Sequence, residues 1–307
     1  MKIAVIGTGG VGGYFGGKIT EAAYDTTFLA RGKHLEAIKK NGLQIKSIKG
    51  DIHINSVKVT DNIHDIGKVD LILLAVKAWQ VKETAKDLKE LLHEKTIVIP
   101  LQNGVMAIDE LKEHIAKKHI LGGLCRIFSK IESPGIINHF GLEPSIIFGE
   151  PDKTNTARLQ IINTIFNKAG ISNRISDNIT AELWKKFIGI CVSGLLAITK
   201  STYGELREIK ETRMLMTDLL NEIYLLSQKA GVAIESEFVA NLVKTIDQYP
   251  YDCTSSLTRD IWEGKPSEIE YQNGTVVKLA EKYGINTPVN RFVYYSILPM
   301  EKKARNV

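Results

Sequence analysis

Cysteine is scarce in this chain. Cys125, Cys191 and Cys253 are its only three in 307 residues, they stand far apart, and no C-x-x-C occurs. An odd count with no disulfide framework, and no signal-peptide pattern, leads us to expect a reducing, cytoplasmic setting. The seven histidines form no H-E-x-x-H pair and cluster with no cysteine, so no metal site is expected. Long apolar runs are missing as well. The longest, Phe187–Ile198, is flanked by Lys185, Lys186 and Lys200. A membrane-spanning helix needs about 20 such residues, so this run reads as a buried core helix. Charge of one sign is also absent. The 40 Lys and Arg are interspersed among 35 Asp and Glu, and the net charge is only +5. That balance offers no nucleic-acid face and suits a small anionic ligand. There are no repeats, low-complexity tracts or Pro- and Ser-rich linkers. With 44% hydrophobic and 24% charged residues, the chain has the composition of a globular protein whose length fits two domains.

What is present begins at once, with MKIAVIGTGGVGGYFGG. Met1–Ile6 reads as a buried strand, and Gly7, Gly9 and Gly12 follow in G-x-G-x-x-G spacing. Gly7 allows the tight turn off the strand, Gly9 leaves room for a pyrophosphate, and Gly12 lets the next helix, Val11–Ala23, pack closely. The backbone of Gly7, Thr8, Gly9, Gly10, Val11 and Gly12 at that helix start is the expected phosphate cradle. The competing reading is a glycine-rich turn with no ligand. Thr26–Ala30 is the second strand. Sites for NAD usually place a carboxylate at its end, on the ribose hydroxyl. This chain has Arg31 there, with Lys33 and His34 behind it. A guanidinium suits a 2′-phosphate, which favours NADP(H) over NAD(H). Read alone, Arg31 is also an ordinary solvated residue at a strand end.

Strand and helix signals alternate through the first half, as a doubly wound parallel sheet requires. Leu43–Ile48 and Asp51–Val59 read as paired strands. Val69–Val76 is a continuous apolar run suited to a buried parallel strand, and it ends at Lys77, on the edge where ligands of open parallel sheets bind. A helix, Gln80–His93, and a strand, Thr96–Pro100, follow. The turn Gln102-Asn103-Gly104 leaves that strand's carboxyl end, so Asn103 should face nicotinamide or substrate; an Asn-Gly turn chosen for its backbone is the alternative. Residues 119–149 read as short strands added antiparallel to the sheet, Thr154–Ala169 as a helix, and Ile171–Ile175 as a last strand. The expected boundary lies near Ser176–Asn178, dividing a Rossmann-type dinucleotide-binding domain, 1–177, from an all-α C-terminal domain, 178–307. Helical spacing covers Ile179–Ile198, Glu208–Ala230, Glu235–Asp247, Thr254–Trp262, Ile269–Tyr283 and Val289–Lys302.

Two ionisable residues of the second half stand out. Lys186, in AELWKKFIGICV, precedes the most apolar helical run. A lysine there can lose hydration and become a useful general acid, or it can simply snorkel. Glu268 lies in GKPSEIEYQNG, where Pro266 and Ser267 read as a helix start. A first-turn glutamate favoured by the helix dipole is the other explanation.

Taken together, these segments resemble the ketopantoate reductase (2-dehydropantoate 2-reductase) family. The resemblance rests on the glycine turn, Arg31, Lys77-Ala78-Trp79-Gln80, Gln102-Asn103-Gly104, AELWKKF around Lys186, YGEL at 203–206, and SSLTRDIWEGKPSEIEYQNG leading into GINTPVN. It implies NADPH/NADP+ as cofactor, held by the glycine turn, Arg31, Lys77, Gln102 and Asn103. It further implies reduction of a 2-keto acid, with Lys186 as general acid and Glu268 orienting the substrate beside Asn103 and Ser256. Ketopantoate, the precursor of pantoate in pantothenate biosynthesis, is the first expected substrate. The chain departs from the family where asparagines usually follow the lysine. Position 190 is isoleucine, the second falls at Ser193 or Gly194, and the asparagine before Ser255-Ser256 is replaced by Cys253 or Thr254. Those changes favour a more apolar 2-keto acid as the alternative substrate. A non-catalytic NADP(H)-binding sensor is the alternative from another class. A homodimer through the helical domain is the remaining expectation about partners.

Overall fold

In chain order, the strands of the first half are β1 (Lys2–Ile6), β2 (Asp25–Leu29), β3 (Leu43–Ser47), β4 (Ile52–Ile54), β5 (Lys58–Thr60), β6 (Val69–Leu74), β7 (Leu92–Pro100), β8 (Gly122–Ser133), β9 (Ile136–Gly149) and β10 (Ser172–Ile175). The helices among them are α1 (Gly10–Glu21), α2 (Gly32–Asn41), α3 (Val81–Leu88), α4 (Ala107–Lys112) and α5 (Ala157–Lys168). This computed structural model describes residues 1–307. They form two units, Met1–Gln102 with Met106–Glu182, and Asn103–Val105 with Leu183–Val307.

The first unit is a doubly wound α/β fold. Its main sheet has the order β5-β2-β1-β6-β7, with every neighbouring pair parallel. The register explains why chemistry can gather at one edge. Ile6 pairs with Leu29 on one side and Leu74 on the other, so three strands end at the same level. The carboxyl ends are then stitched together: Ala75 N–H donates to the Ile6 carbonyl at 2.8 Å, and Leu101 N–H to the Leu74 carbonyl at 2.9 Å. Ile3, Val5, Phe28, Leu71, Leu73 and Ile99 are buried, as an apolar parallel sheet covered on both faces demands.

Helix α1 is packed by what its glycines lack. A Cβ at Gly16 would stand 2.6 Å from the Phe28 ring, one at Gly13 2.6 Å from Ile137, and one at Gly17 2.3 Å from Ile45. The helix is thus wedged between the main sheet and a second one, of order β10-β9-β3-β4 with β8 along β9.

That second sheet corrects the sequence expectation. Apart from one isolated parallel bridge from Ile120 to Val98 of β7, residues 119–149 do not extend the main sheet. Strands β8 and β9 form a long antiparallel hairpin, and β9 runs unbroken through Gly141 and Pro144 where separate short strands were expected. Its first part pairs parallel with β3 and its last part parallel with β10. The 51–59 stretch is likewise two strands in different sheets, β4 against β3 and β5 against β2, separated by the bend at Asn55-Ser56. Helices α2 and α4 had no counterpart in the sequence reading.

The second unit is helical: α6 (Ile179–Ile190), whose C-terminal part from Leu183 belongs to it, α7 (Val192–Thr199), α8 (Tyr203–Glu208), α9 (Lys210–Lys229), α10 (Phe238–Ile246), α11 (Ser256–Trp262), α12 (Asn273–Tyr283) and α13 (Pro288–Arg305). Helix α9 is its axis, packing on α7, α8, α10, α12 and α13. The helix expected over 179–198 breaks after Ile190, and two side chains from elsewhere satisfy carbonyls around the break. Asn273 Nδ2 donates to the Cys191 carbonyl at 3.2 Å, and Thr258 Oγ1 to the Ser193 carbonyl at 2.9 Å. Asn273 also donates to Asn290 Oδ1 at 3.0 Å, and Asn290 Nδ2 donates to Glu222 at 2.7 Å. Both asparagines are fully buried, so each of these bonds spares an unpaired polar group worth about 1–3 kcal/mol. No helix of the chain is long and apolar enough to cross a membrane.

Candidate functional site

In the first unit the candidate residues converge on the carboxyl edge of the main sheet. Gly7 leaves β1 with φ +100°, and a Cβ on it would sit 2.7 Å from the Val76 backbone nitrogen. The turn is therefore pressed against the end of β6, one residue before Lys77, in a conformation that L side chains rarely adopt. Gly12 faces the turn itself: a Cβ there would lie 2.0 Å from the Gly7 carbonyl oxygen. Gly9 has open space, with no atom within 4 Å of its missing Cβ. Thr8 is buried, its N–H and its hydroxyl both donating to the Leu29 carbonyl, at 3.2 and 2.9 Å. That double bond ties the turn to the end of β2, two residues before Arg31.

The start of α1 carries no side-chain cap and no acidic residue in its first turn. Its orphan N–H groups and positive dipole end are thus unopposed by protein carboxylates, and the open space at Gly9 lies among them. These features fit the pyrophosphate of a dinucleotide. Arg31 is exposed and caps nothing with its side chain, although α2 begins immediately after it. Lys33 is exposed beside it. His34 instead turns inward, accepting from the Gly135 N–H at 2.9 Å. Burial pushes its imidazole below the ordinary value, against hydrogen bonding to the Thr8 backbone.

Lys77 is exposed, with Nζ 5.7 Å from the centre of the Trp79 ring, and its N–H donates to Gln80 Oε1 at 3.2 Å. Gln102 plays a structural part at the same edge. It is buried, and Nε2 donates to the carbonyls of Leu74 and Val76 at 2.9 and 3.0 Å, crosslinking the ends of β6 and β7. Its Oε1 is buried with no hydrogen-bond partner. Ser129 carries no motif that would single it out in the sequence. This residue of β8 lies against Gly10, whose Cβ would be 2.6 Å from the Ser129 carbonyl oxygen, and its hydroxyl is buried and unpartnered.

In the second unit the structure joins residues 165 positions apart: Asn103 Nδ2 donates to Glu268 Oε2 at 3.3 Å. The segment Asn103–Val105 belongs to this unit. Gly104, at φ +99°, comes so close to the Glu268 loop that a Cβ would lie 2.9 Å from the Tyr271 carbonyl oxygen. Glu268 is only 7% exposed. The helix start expected at Pro266-Ser267 is not one. A 3₁₀ turn covers Ile269–Tyr271 and α12 begins at Asn273, so Glu268 sits in an irregular loop. The dipole of a long helix therefore does not explain it.

Lys186 is half-buried on α6, beside a well-engaged neighbour: Lys185 pairs with Glu235 at 2.7 Å and lies over Phe238. One turn on, Ile190 is half-buried, and Ser193 and Gly194 are buried. Gly194 has no room for a side chain, since a Cβ would be 2.5 Å from Asn273 Oδ1. Ser256 is exposed in the first turn of α11, while Ser255 caps that helix by accepting from Thr258 N–H at 3.0 Å. Burial pushes the Cys191 thiol and the Tyr203 hydroxyl well up, so both stay neutral. No group of three or more His, Cys, Asp or Glu is placed to hold a metal ion.

Comparison with known proteins gives these features a context. Residues 3–153 match "Ketopantoate reductase PanE/ApbA", and residues 178–301 match the C-terminal region of the same family. The chain is 30% identical to "Uncharacterized oxidoreductase YkpB" of Bacillus subtilis, over 97% of its own length and 98% of that protein's. It is 29% identical to a 2-dehydropantoate 2-reductase of Nostoc, over 99% and 96% of the two lengths. A crystal structure of a PanE/ApbA family ketopantoate reductase from Ralstonia eutropha superposes with a TM-score of 0.91 at 28% identity, covering 99% of this chain and all of that one.

Proposed function

Because the chain belongs to the ketopantoate reductase family, a family of oxidoreductases, we propose that it reduces a 2-keto acid to the 2-hydroxy acid with NADPH, and that ketopantoate is its first substrate. The Glu268–Asn103 pair carries the reading: a nearly buried carboxylate in an irregular loop meets an amide brought from the end of the parallel sheet. A turn that only bound a dinucleotide would have no use for it.

The first unit supplies the cofactor's anchorage. The uncapped start of α1 receives the pyrophosphate, Arg31 the 2′-phosphate, and Lys77 adds positive charge at the same edge. When bound, the cofactor supplies the hydride that reduces the C2 carbonyl. The second unit supplies the proton. Lys186, as ammonium, donates it to the oxygen that gains charge as the carbonyl is reduced, and takes another from solvent afterwards. Asn103 and Glu268 orient the acid, the carboxylate accepting from a substrate hydroxyl or from the lysine. Ser256 offers a hydroxyl to the substrate.

One observation favours a second substrate within the same reaction. Ile190 offers no hydrogen bond, and Asn273 fills the room that a side chain at Gly194 would need. A substrate hydroxyl has fewer partners here, which suits a more apolar 2-keto acid. Steady-state NADPH oxidation with ketopantoate and a panel of branched, straight and aromatic 2-keto acids tests both readings. We expect turnover with ketopantoate or with an apolar member of the panel. NADPH binding without oxidation by any of them contradicts the enzyme reading and leaves a dinucleotide-binding protein.

A further inference from the structure

Glu268 occupies a loop with no long helix to hold it, so its geometry must come from elsewhere. The neighbours on both sides of it are gripped by one face of α13. On the near side, Ser267 is fully buried and every polar atom it has is bound. Its N–H donates to both oxygens of Glu301, at 3.1 and 3.0 Å, and its hydroxyl donates to Glu301 Oε2 at 2.6 Å. Its carbonyl accepts from Arg305 Nη2 at 2.9 Å. Its hydroxyl oxygen also accepts from the Ile269 N–H at 3.3 Å, spanning Glu268. On the far side, the Tyr294 hydroxyl donates to the Glu270 carboxylate, which Lys278 also pairs at 2.9 Å.

Tyr294, Glu301 and Arg305 are seven and four residues apart, so they lie on one side of α13, with buried Ile297 between them. Glu301 is itself 4% exposed and is neutralised by Arg305 Nε at 2.5 Å. A buried carboxylate that takes three hydrogen bonds from two donors and pairs with a guanidinium is costly to build unless fully satisfied, and this one is. Its bonds go to the backbone of the residue that precedes Glu268.

We propose that this stripe of α13, with Glu301 at its centre, is a positioning device that fixes the Glu268 carboxylate for substrate. The inference rests on the assignment of Glu268 to the substrate. The stripe touches no reacting atom; it acts through the two flanks of one loop.

The test compares Glu301→Gln, Tyr294→Phe and Glu268→Gln, singly and as the two doubles with Glu268→Gln, in the full-length protein. The readouts are kcat/KM for the best keto acid, the Kd for NADPH, and thermal unfolding. Glu301→Gln should lower kcat/KM on the order of tenfold or more, as a displacement of an ångström does at a reacting centre, with the Kd for NADPH unchanged. Tyr294→Phe, which removes one hydroxyl and keeps the ring, should lower it less and carries the test if Glu301→Gln does not fold. In the Glu268→Gln background neither change should cost anything further, because the device then has nothing to position. Losses that multiply with that of Glu268→Gln overturn the proposal, as do single variants with wild-type kcat/KM beside an impaired Glu268→Gln. Wild-type activity in Glu268→Gln would overturn the assignment of Glu268 first, and the positioning role with it.

Discussion

The two units build their candidate sites from different materials. In the first, the ligand-facing surface is mostly backbone: a turn without side chains, an uncapped helix start and three strand ends at one level. In the second it is side chains, held by buried polar bonds from distant segments, Asn103 to Glu268 and Glu301 to Ser267. A backbone site is hard to alter without disturbing the fold, since Gly7, Gly10 and Gly12 in it are also packing contacts. A side-chain site can be changed one residue at a time. On the proposed reading, cofactor use is bound to the architecture, while substrate choice is open to change at positions such as Ile190.

The sharpest way to separate the two is to remove the proposed proton donor and nothing else. Lys186→Ala should lower kcat by roughly 10²- to 10⁴-fold while the Kd for NADPH stays close to wild type. Unchanged turnover would remove Lys186 from the chemistry. The converse experiment attacks the backbone site. Gly12→Ala places a methyl 2.0 Å from the Gly7 carbonyl, and backbone must move to admit it. We expect about 1–3 kcal/mol of lost stability together with loss of dinucleotide binding, read by thermal unfolding and NADPH titration. A variant that binds NADPH normally would show that the turn is not the cradle.

The third change is smaller and splits the two cofactors. Arg31→Ala should weaken NADPH by about 2 kcal/mol, roughly thirtyfold in Kd, and leave NADH nearly unaffected. Equal losses for both would mean that Arg31 does not meet the 2′-phosphate. The smallest effect is a pH dependence confined to the second unit. Burial pushes the Glu270 carboxyl up, but hydrogen bonds from Tyr294 and Lys278 outweigh it and hold the group below the ordinary value of 4.5. A depressed folded-state pKa stabilises the protein above the unfolded value, and that stabilisation is lost as pH falls through the folded one. The melting temperature should therefore drop on acidification below about pH 4.5, less steeply in Glu270→Gln than in wild type.

The same contrast explains how much was legible beforehand. The glycine spacing, the apolar strand runs and the order of helices after residue 179 are local signals, and the α/β-then-helical architecture was readable from them. The second sheet was not. Nothing local tells β9 to run through Gly141 and Pro144 and to pair with β3, almost a hundred residues earlier. In the site, Gly7 and Gly12 announce themselves by spacing. Glu268 stood out beside Pro266-Ser267, but only the family resemblance gave it a role, because its loop resembles an ordinary helix start. Ser267, Glu301 and Arg305 gave no signal, since a serine after a proline and charges near a helix end are commonplace until the fold brings them together.

The proposed reaction moves a hydride from NADPH to C2 of a 2-keto acid and a proton from Lys186 to its oxygen. Incubating the enzyme with NADPH deuterated at nicotinamide C4, once for each face, tests it directly. Deuterium is expected at C2 of the 2-hydroxy acid from one labelled face only, and should be absent on the same timescale in Lys186→Ala. Oxidation of the cofactor with no label in any hydroxy acid product would contradict it.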